Sequence, residues 1–358
     1  MIFYFTWLII SIILLSLYKN NRKINIEIII IFLLCTLVYG CRDIGGIDDI
    51  TYMKAFEMAR YNDNTFGLEG SYIYISKFLS FIGFNYKSIF LLYAVTAFIF
   101  MYLAYKKICK QESDWVIGIL GFFTFIFIPT ITLMRQFTAL CIVTYSTICF
   151  TEKKYAKSIF LILLSSLVHE SALFILLFLP IFKIKFNNYV KILLPIISFI
   201  LGYTGIFNLI IYNISYLIPN EYKNYIINDL KFEIGILHWL LISIYISQFL
   251  LSIIKKSQAE SEKKNDLLEN GQMIYFSTYF LTLSSGWLNR ISLYFILFIP
   301  FIFKTFIDRF KLKNERKILY IICYMAYIVL FIYQILNADS SQTLRNLIPY
   351  KGSLDFMS

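Results

Sequence analysis

The chain has 358 residues, of which 59% are hydrophobic and 15% are charged, and its mean hydropathy is +0.70. Because soluble domains carry about one quarter charged residues, this composition excludes an ordinary soluble protein and predicts an all-α polytopic membrane protein. The net charge of +11 comes from short Lys and Arg clusters between apolar runs, which is typical of membrane topology signals and not of a nucleic-acid partner. Six cysteines without a CxxC pair and only two histidines predict no disulfide framework, metal site or cofactor.

Apolar runs long enough to cross about 30 Å of hydrocarbon predict about 11 to 12 transmembrane helices in one integral membrane domain over 1–358. No basic segment precedes the first run and no cleavage site follows it, so it is predicted to be a retained span. The run over 158–182 reads either as one helix or as two segments that break at His169. The predicted spans are 2–17, 24–40, 88–105, 115–133, 137–150, 158–168, 171–182, 192–218, 235–254, 272–288, 291–307 and 318–336.

When the connections are placed alternately on the two sides, one side receives about twice as many Lys and Arg residues as the other. The richer side is predicted to be cytoplasmic, and both termini then face outward. This alternation favours the break in 158–182, because a single crossing there would put the lysines that follow on the outer side. It also predicts an outer loop over 41–87, a cytoplasmic connector over 255–271 and an outer C-terminal tail over 337–358.

The outer loop 41–87 begins Cys-Arg-Asp-Ile-Gly-Gly-Ile-Asp-Asp. Its two adjacent glycines predict a tight turn that presents Arg42, Asp48 and Asp49. Further along the loop, residues 72–82 interleave apolar side chains with serines and a lysine. This stretch is too short to span a membrane, so it predicts an interfacial helix that lies on the outer leaflet.

Arg135 is the only charged residue between Asp114 and Glu152, in an otherwise apolar part of the chain. A guanidinium stays protonated, and at bilayer depth its charge costs about 3 kcal/mol or more unless water or an anion reaches it. Arg135 therefore lies either where two helices turn at the membrane surface or in the wall of a polar cavity. Arg42, Arg290 and Arg345 are predicted on the same outer side, and together the four could clamp a phosphate group.

Candidate proton acceptors also fall on the predicted outer side. Asp48, Asp49 and Glu69 are the best-placed carboxylates of the outer loop, and any of them could equally be a solvated loop residue. His169 could take a proton from a hydroxyl group or donate a hydrogen bond to a phosphate oxygen, with Glu170 beside it. Its alternative role is that of a histidine bonded to the backbone at a helix turn.

The order and spacing of these residues resemble a known family. The pattern is Arg42-x3-Gly46-x-Asp48-x3-Tyr52, Glu69-Gly70, Arg135-Gln136-x2-Ala139, His169-x-Ser171-Ala172 and Pro349-Tyr350. It covers most of the chain and is similar to the EpsG-type branch of the Wzy polysaccharide-repeat polymerases. The chain departs from that pattern at Glu170, where a small polar residue is more common, and its double aspartate leaves open whether Asp48 or Asp49 is the functional one.

The resemblance implies a metal-independent glycosyltransferase with a GT-C-like fold in the bacterial inner membrane. Such an enzyme transfers a growing glycan from undecaprenyl pyrophosphate to the non-reducing end of a lipid-linked repeat unit on the outer face, for lipopolysaccharide, capsule or exopolysaccharide. Its implied partners are these lipid-linked oligosaccharides, the bilayer and a chain-length regulator. The residues assigned to catalysis are Arg135, His169, Asp48 and Glu69, and those assigned to substrate binding are Arg42, Arg290, Arg345, Gln136, Asp49, Tyr52, Glu170 and Tyr294.

Other functions remain open on the sequence alone. An O-antigen ligase or a membrane O-acyltransferase would act on related precursors, although a ligase is expected to have its longest outer loop between late spans. A flippase or transporter of lipid-linked oligosaccharide is expected to show charges along the middle of several helices and repeat symmetry. A structural subunit of the assembly machinery would tolerate loss of all four outer arginines.

Overall fold

Helices make up nearly all the regular structure of the protein. The computed structural model describes residues 1–19, 25–45, 47–61, 66–213, 235–254, 266–283, 286–337 and 347–357. Within these ranges there is no β-strand, and only two isolated bridges occur, Arg42 with Gly352 and Phe84 with Met357. The prediction of an all-α polytopic membrane protein is confirmed.

The helices fall into two compact units, the first comprising Met1–Leu176 together with Ile322–Ser358. A π-helical turn over Phe122–Ile126 interrupts its sixth helix, and a 3₁₀ helix over Glu170–Leu177 follows its eighth. The helices of this unit are α1 (Ile2–Leu17), α2 (Ile26–Gly40), α3 (Ile47–Ala59), α4 (Gly70–Phe81), α5 (Lys87–Ile108), α6 (Glu112–Thr130), α7 (Met134–Thr151) and α8 (Tyr155–Val168).

The second unit is Leu177–Ile321, and its described core surrounds one buried helix over Asp266–Leu281. Lys191 and Glu269, both buried, form an ion pair of 2.6 Å, and Arg309 pairs with the same carboxylate. The helices of this unit are α9 (Asn188–Tyr203), α10 (Ile206–Asn213), α11 (Ile236–Ile254), α12 (Asp266–Leu281), α13 (Gly286–Asn289), α14 (Ile302–Ile307) and the first part of α15 (Lys313–Leu336). Two 3₁₀ helices, Leu179–Lys183 and Ser292–Phe301, complete it.

Three described helices, α5, α6 and α15, are long and apolar enough to cross a membrane. The pair α9 and α10 meets the same criterion together, with a bend of 73° at a short break. Five further apolar helices have only 10 to 17 residues, and at about 1.5 Å per residue such helices are shorter than the hydrocarbon core. The predicted count of 11 to 12 spans and the GT-C-like arrangement stay predictions.

The apolar run around His169 is broken at that residue. α8 ends at Val168, and His169 itself is extended, with φ −155° and ψ 113°, before the 3₁₀ helix begins at Glu170. The predicted span 192–218 is also interrupted, because Gly205 adopts a positive φ of 74° between α9 and α10. Of the two interpretations of 158–182, the broken one describes the structure.

The predicted outer loop, residues 41–87, contains two helices, of which the sequence predicted only the second. α4 covers most of the stretch 72–82 that was predicted to be helical, whereas α3 forms where the sequence predicted only a turn. The acidic first turn of α3, with Asp48 and Asp49, suits the positive end of the helix dipole. The prediction that the turn presents Arg42 and Asp49 differs from the structure, because both side chains are fully buried.

The C-terminal segment 347–357 packs against both ends of the segment 41–87. Its main chain accepts hydrogen bonds from the amides of Asp43 (to Lys351, 2.8 Å) and Asn85 (to Phe356, 2.9 Å). The Tyr4 hydroxyl donates to the carbonyl of Leu347 at 2.9 Å. The tail therefore ties α1 and both ends of the loop 41–87 together within the first unit.

Candidate active site

Three residues at the ends of three helices converge in the first unit. Glu69 immediately precedes α4, Arg135 is the second residue of α7, and His169 immediately follows α8. The main-chain carbonyl of Glu69 accepts the amides that open α4, while its side chain makes no cap and turns toward the other two residues. Helix ends thus bring together side chains that the sequence separates widely.

The carboxylate of Glu69 joins the cluster. Its Oε2 pairs with the guanidinium of Arg135, and its Oε1 lies 3.0 Å from Nδ1 of His169. The amide of Glu170 also donates to Oε1, at 3.3 Å. Both carboxylate oxygens are therefore engaged, and the charge of Arg135 has the counter-charge that an apolar setting requires.

The same contact determines which nitrogen of His169 can act as a base. In the neutral ring one nitrogen carries a proton and the other a lone pair, and a carboxylate accepts a hydrogen bond. Glu69 therefore favours the tautomer with the proton on Nδ1, which makes Nε2 the basic nitrogen. The side chains of Glu69, Arg135 and His169 keep exposed fractions of 11%, 12% and 20%, so the cluster is largely shielded from water but not sealed.

An aromatic layer underlies the cluster. The guanidinium of Arg135 lies over the ring of Tyr52, 5.2 Å from its centroid, where a cation–π attraction operates. The hydroxyl of Tyr72 donates to the carbonyl of Tyr52 at 2.7 Å, which ties α4 to α3. Burial raises the pKa of the Tyr52 hydroxyl, although the charge of Arg135 acts in the opposite direction. Tyr52 is thus placed to orient Arg135.

Arg42 and Asp49 form a separate, fully buried ion pair. Arg42 donates to Oδ1 of Asp49 at 2.6 Å and to the carbonyl of Tyr39, and its guanidinium lies 4.9 Å from the centroid of the Phe90 ring. The amide of Gly45 donates to Oδ2 of Asp49 at 3.0 Å. Burial raises the pKa of the Asp49 carboxyl, while the Arg42 charge opposes that rise. These contacts make the pair a support for the start of α3.

The remaining predicted site residues are distributed unevenly. Asp48 is partly buried in the first turn of α3, and Gln136 is buried on α7 beside Arg135. Arg290 and Tyr294 belong to the second unit, where Arg290 is exposed and Tyr294 is fully buried. Arg345 lies outside the described residues.

One polar contact of the first unit was not predicted from the sequence. The ammonium of Lys87, at the start of α5, pairs with Asp43 at 2.5 Å and donates to the hydroxyl of Ser353 at 2.6 Å. No local sequence pattern indicates this contact, because Asp43 and Ser353 lie 44 and 266 residues away from Lys87 in the chain. Among the described residues, no three His, Cys, Asp or Glu side chains are grouped as metal ligands, and the absence of a metal stays a prediction.

Comparison with known families identifies the class of the protein. A model of the EpsG family matches residues 25–351, so the chain belongs to the EpsG family. The match makes it a membrane protein of the polysaccharide-polymerase type. Comparisons with curated proteins and with solved structures gave no significant match.

The buried pair of Arg42 and Asp49 generates a stability prediction. Arg42→Met leaves a buried carboxylate without its counter-charge, and loss of one partner of such a pair costs about 3 to 5 kcal/mol. The double variant Arg42→Met/Asp49→Leu removes both charges and is expected to recover most of that loss. The measurement is the thermal unfolding midpoint of the detergent-solubilised protein. A double variant that is less stable than Arg42→Met would contradict the structural role given to this pair.

Proposed function

We propose that this protein is a glycosyltransferase that polymerises a surface polysaccharide. It transfers the growing glycan from undecaprenyl pyrophosphate to the non-reducing-end hydroxyl of a lipid-linked repeat unit, on the outer face of the bacterial inner membrane. The observation that carries this proposal is the contact of Glu69 with both Arg135 and His169 in a chain of the EpsG family. A base, its orienting carboxylate and a cation for a phosphate leaving group are thus neighbours.

His169 is the proposed general base. Its Nε2 takes the proton of the acceptor hydroxyl, whose oxygen then attacks the anomeric carbon of the donor glycan. The bond between that carbon and the pyrophosphate oxygen breaks, and undecaprenyl pyrophosphate leaves with the electron pair. Glu69 is the positioning residue in this scheme, because its carboxylate holds Nδ1–H and stabilises the imidazolium that forms. Because both of its oxygens are engaged, Glu69 is less suited than His169 to be the base.

Arg135 is the proposed group that stabilises the leaving pyrophosphate. Its guanidinium has five N–H donors, and the contact with Glu69 occupies only some of them. Its side chain keeps 12% of its exposure, so part of the guanidinium can be reached from outside the protein. Positive charge fixed in a shielded site stabilises a developing anion more than the same charge in water.

The other outer arginines take different roles in this proposal. Arg42 supports the fold near the site, because Asp49 already satisfies its charge in the interior. Gln136 and Glu170 are the candidate substrate contacts within the first unit, and the roles that the sequence predicted for Arg290, Arg345 and Tyr294 stay predictions. Asp48 is the alternative base, since it is partly buried at the start of the helix that carries Tyr52. A chain-length regulator is the proposed protein partner.

Loss of Arg135 is expected to abolish polymerisation in cells. In a host strain that lacks this gene, wild type and Arg60→Ala should restore a polysaccharide ladder, whereas Arg135→Ala should leave a core with a single repeat. Arg60 is the matched control because it is exposed, just past the end of α3, and carries the same charge. Membrane levels of each variant are measured by immunoblot. A full ladder with Arg135→Ala would contradict its role, and a null strain without a single-repeat core would favour a flippase or ligase.

The turnover rates of two variants distinguish the candidate bases His169 and Asp48. With purified protein in liposomes and a synthetic lipid-linked repeat unit, His169→Gln is expected to lower the turnover rate about 10²- to 10⁴-fold, as loss of a general base does. Asp48→Asn should lower it by less than tenfold. If Asp48→Asn is the slower of the two variants, Asp48 is the base and the assignment of His169 is wrong.

A further inference from the structure

Helix α4 has two faces of opposite character. Tyr72, Ser76 and Leu79 are buried against the first unit. Tyr74, Phe78 and Phe81 are 72%, 63% and 89% exposed, and their spacing of four and three residues puts them on one stripe of the helix. Three large aromatic side chains on one exposed stripe exceed what a water-facing surface normally carries.

The only cation on α4 lies next to that stripe. The ammonium of Lys77 is 5.5 Å from the centroid of the Tyr74 ring, where it is attracted to the aromatic face. Tyrosine and lysine together are typical of the membrane–water interface, where the ring lies among headgroups and the ammonium reaches phosphate. With 12 residues, α4 is too short to cross the hydrocarbon core.

The position of α4 in the chain limits its distance from the bilayer. Gly83, with φ +85°, ends the helix in a motif in which the amide of Phe84 donates to the carbonyl of Leu79 at 3.0 Å. Helix α5, which is long and apolar enough to cross a membrane, then begins at Lys87, only six residues after Phe81. Six residues reach about 20 Å at full extension, and this turn shortens that reach.

The other end of α4 belongs to the candidate active site. Glu69 immediately precedes the helix, and the hydroxyl of Ser71 donates to the carbonyl of Leu167, near the end of α8. Tyr72 is bonded to α3. A single rigid helix therefore connects the exposed aromatic stripe to the carboxylate that holds Arg135 and His169.

We propose that the stripe Tyr74, Phe78 and Phe81 is a membrane-binding surface that inserts into the headgroup region of the bilayer, with Lys77 on lipid phosphate. The occupant is lipid, because the stripe combines apolar aromatic area with a cation beside a membrane-spanning helix. This contact fixes the depth of Glu69, Arg135 and His169 at the level of the lipid phosphates. The consequence for catalysis, though not the lipid contact, rests on the proposed function.

The test uses spin labels on single introduced cysteines, Phe78→Cys and Phe81→Cys, in protein reconstituted into liposomes of phosphatidylethanolamine and phosphatidylglycerol. The control is Tyr61→Cys, which is 82% exposed, follows α3 and lies outside α4. All six native cysteines are buried, and unmodified protein treated with the label gives the blank. Power saturation compares the access of oxygen, which concentrates in lipid, with that of a water-soluble nickel chelate.

The ratio of oxygen access to nickel-chelate access is expected to be at least fivefold higher at positions 78 and 81 than at position 61. Equal access of the chelate at all three positions would show a water-facing helix and overturn the proposal. Exclusion of both reagents at 78 and 81 would show a protein cover, such as a second copy of this chain, and would also overturn it.

A second measurement separates this inference from the proposed function. Phe78→Asp/Phe81→Asp is expected to reduce the polysaccharide ladder at least tenfold at equal membrane level, while Tyr61→Asp retains it. If the labels report lipid but the double variant keeps a full ladder, the depth of the site does not depend on this surface and that part of the inference is wrong. If the labels report lipid but wild type makes no ladder, the proposed function fails and the lipid contact stands.

Discussion

A guanidinium that cannot lose its proton needs a counter-charge wherever water is scarce, and this requirement organises the candidate site. Arg135 is the second residue of α7, in an apolar setting, and its counter-charge comes from Glu69, which immediately precedes α4. The same carboxylate reaches His169 beyond the end of α8. One shared carboxylate therefore links the ends of the helices α4, α7 and α8.

Arg42 and Arg135, both in the first unit, show that the same charged group can serve two different roles. Arg42 is entirely enclosed, and its partners Asp49 and the carbonyl of Tyr39 satisfy it from within the protein. Arg135 is paired as well, but its side chain and that of Glu69 retain about one tenth of their exposure. A charge with access to the outside can meet a ligand, whereas a charge without access can only stabilise the fold.

The sequence predicted helices best where the apolar run is long and cleanly bounded, as in α1, whose bounds agree with the prediction. It missed α3 although a stripe of Tyr52, Ala55, Phe56 and Ala59 has helical spacing, because polar residues and the preceding glycines suggested a loop. Glycine at 205 and the extended backbone of His169 broke runs that hydropathy alone joins.

For the site, the sequence named Glu69, Arg135 and His169 but did not pair them. Glu69 and His169 are separated by 100 residues, and only the tertiary packing of α4 against α8 brings them together. The sequence also did not predict how deeply each side chain is buried, so Arg42 and Arg135 were both predicted simply as arginines of the outer side. The contact of Lys87 with Asp43 and Ser353 depends on the path of the C-terminal tail, which no local pattern indicates.

The most direct test of this account is a double-mutant cycle on the turnover rate with Glu69→Gln, His169→Gln and the combined variant. If Glu69 acts mainly by positioning His169, Glu69→Gln slows the His169→Gln variant much less than it slows wild type, because only the contact of Glu69 with Arg135 is then left to lose. If the losses of the two single variants multiply in the combined one, Glu69 acts independently of His169, and the shared-carboxylate account is wrong.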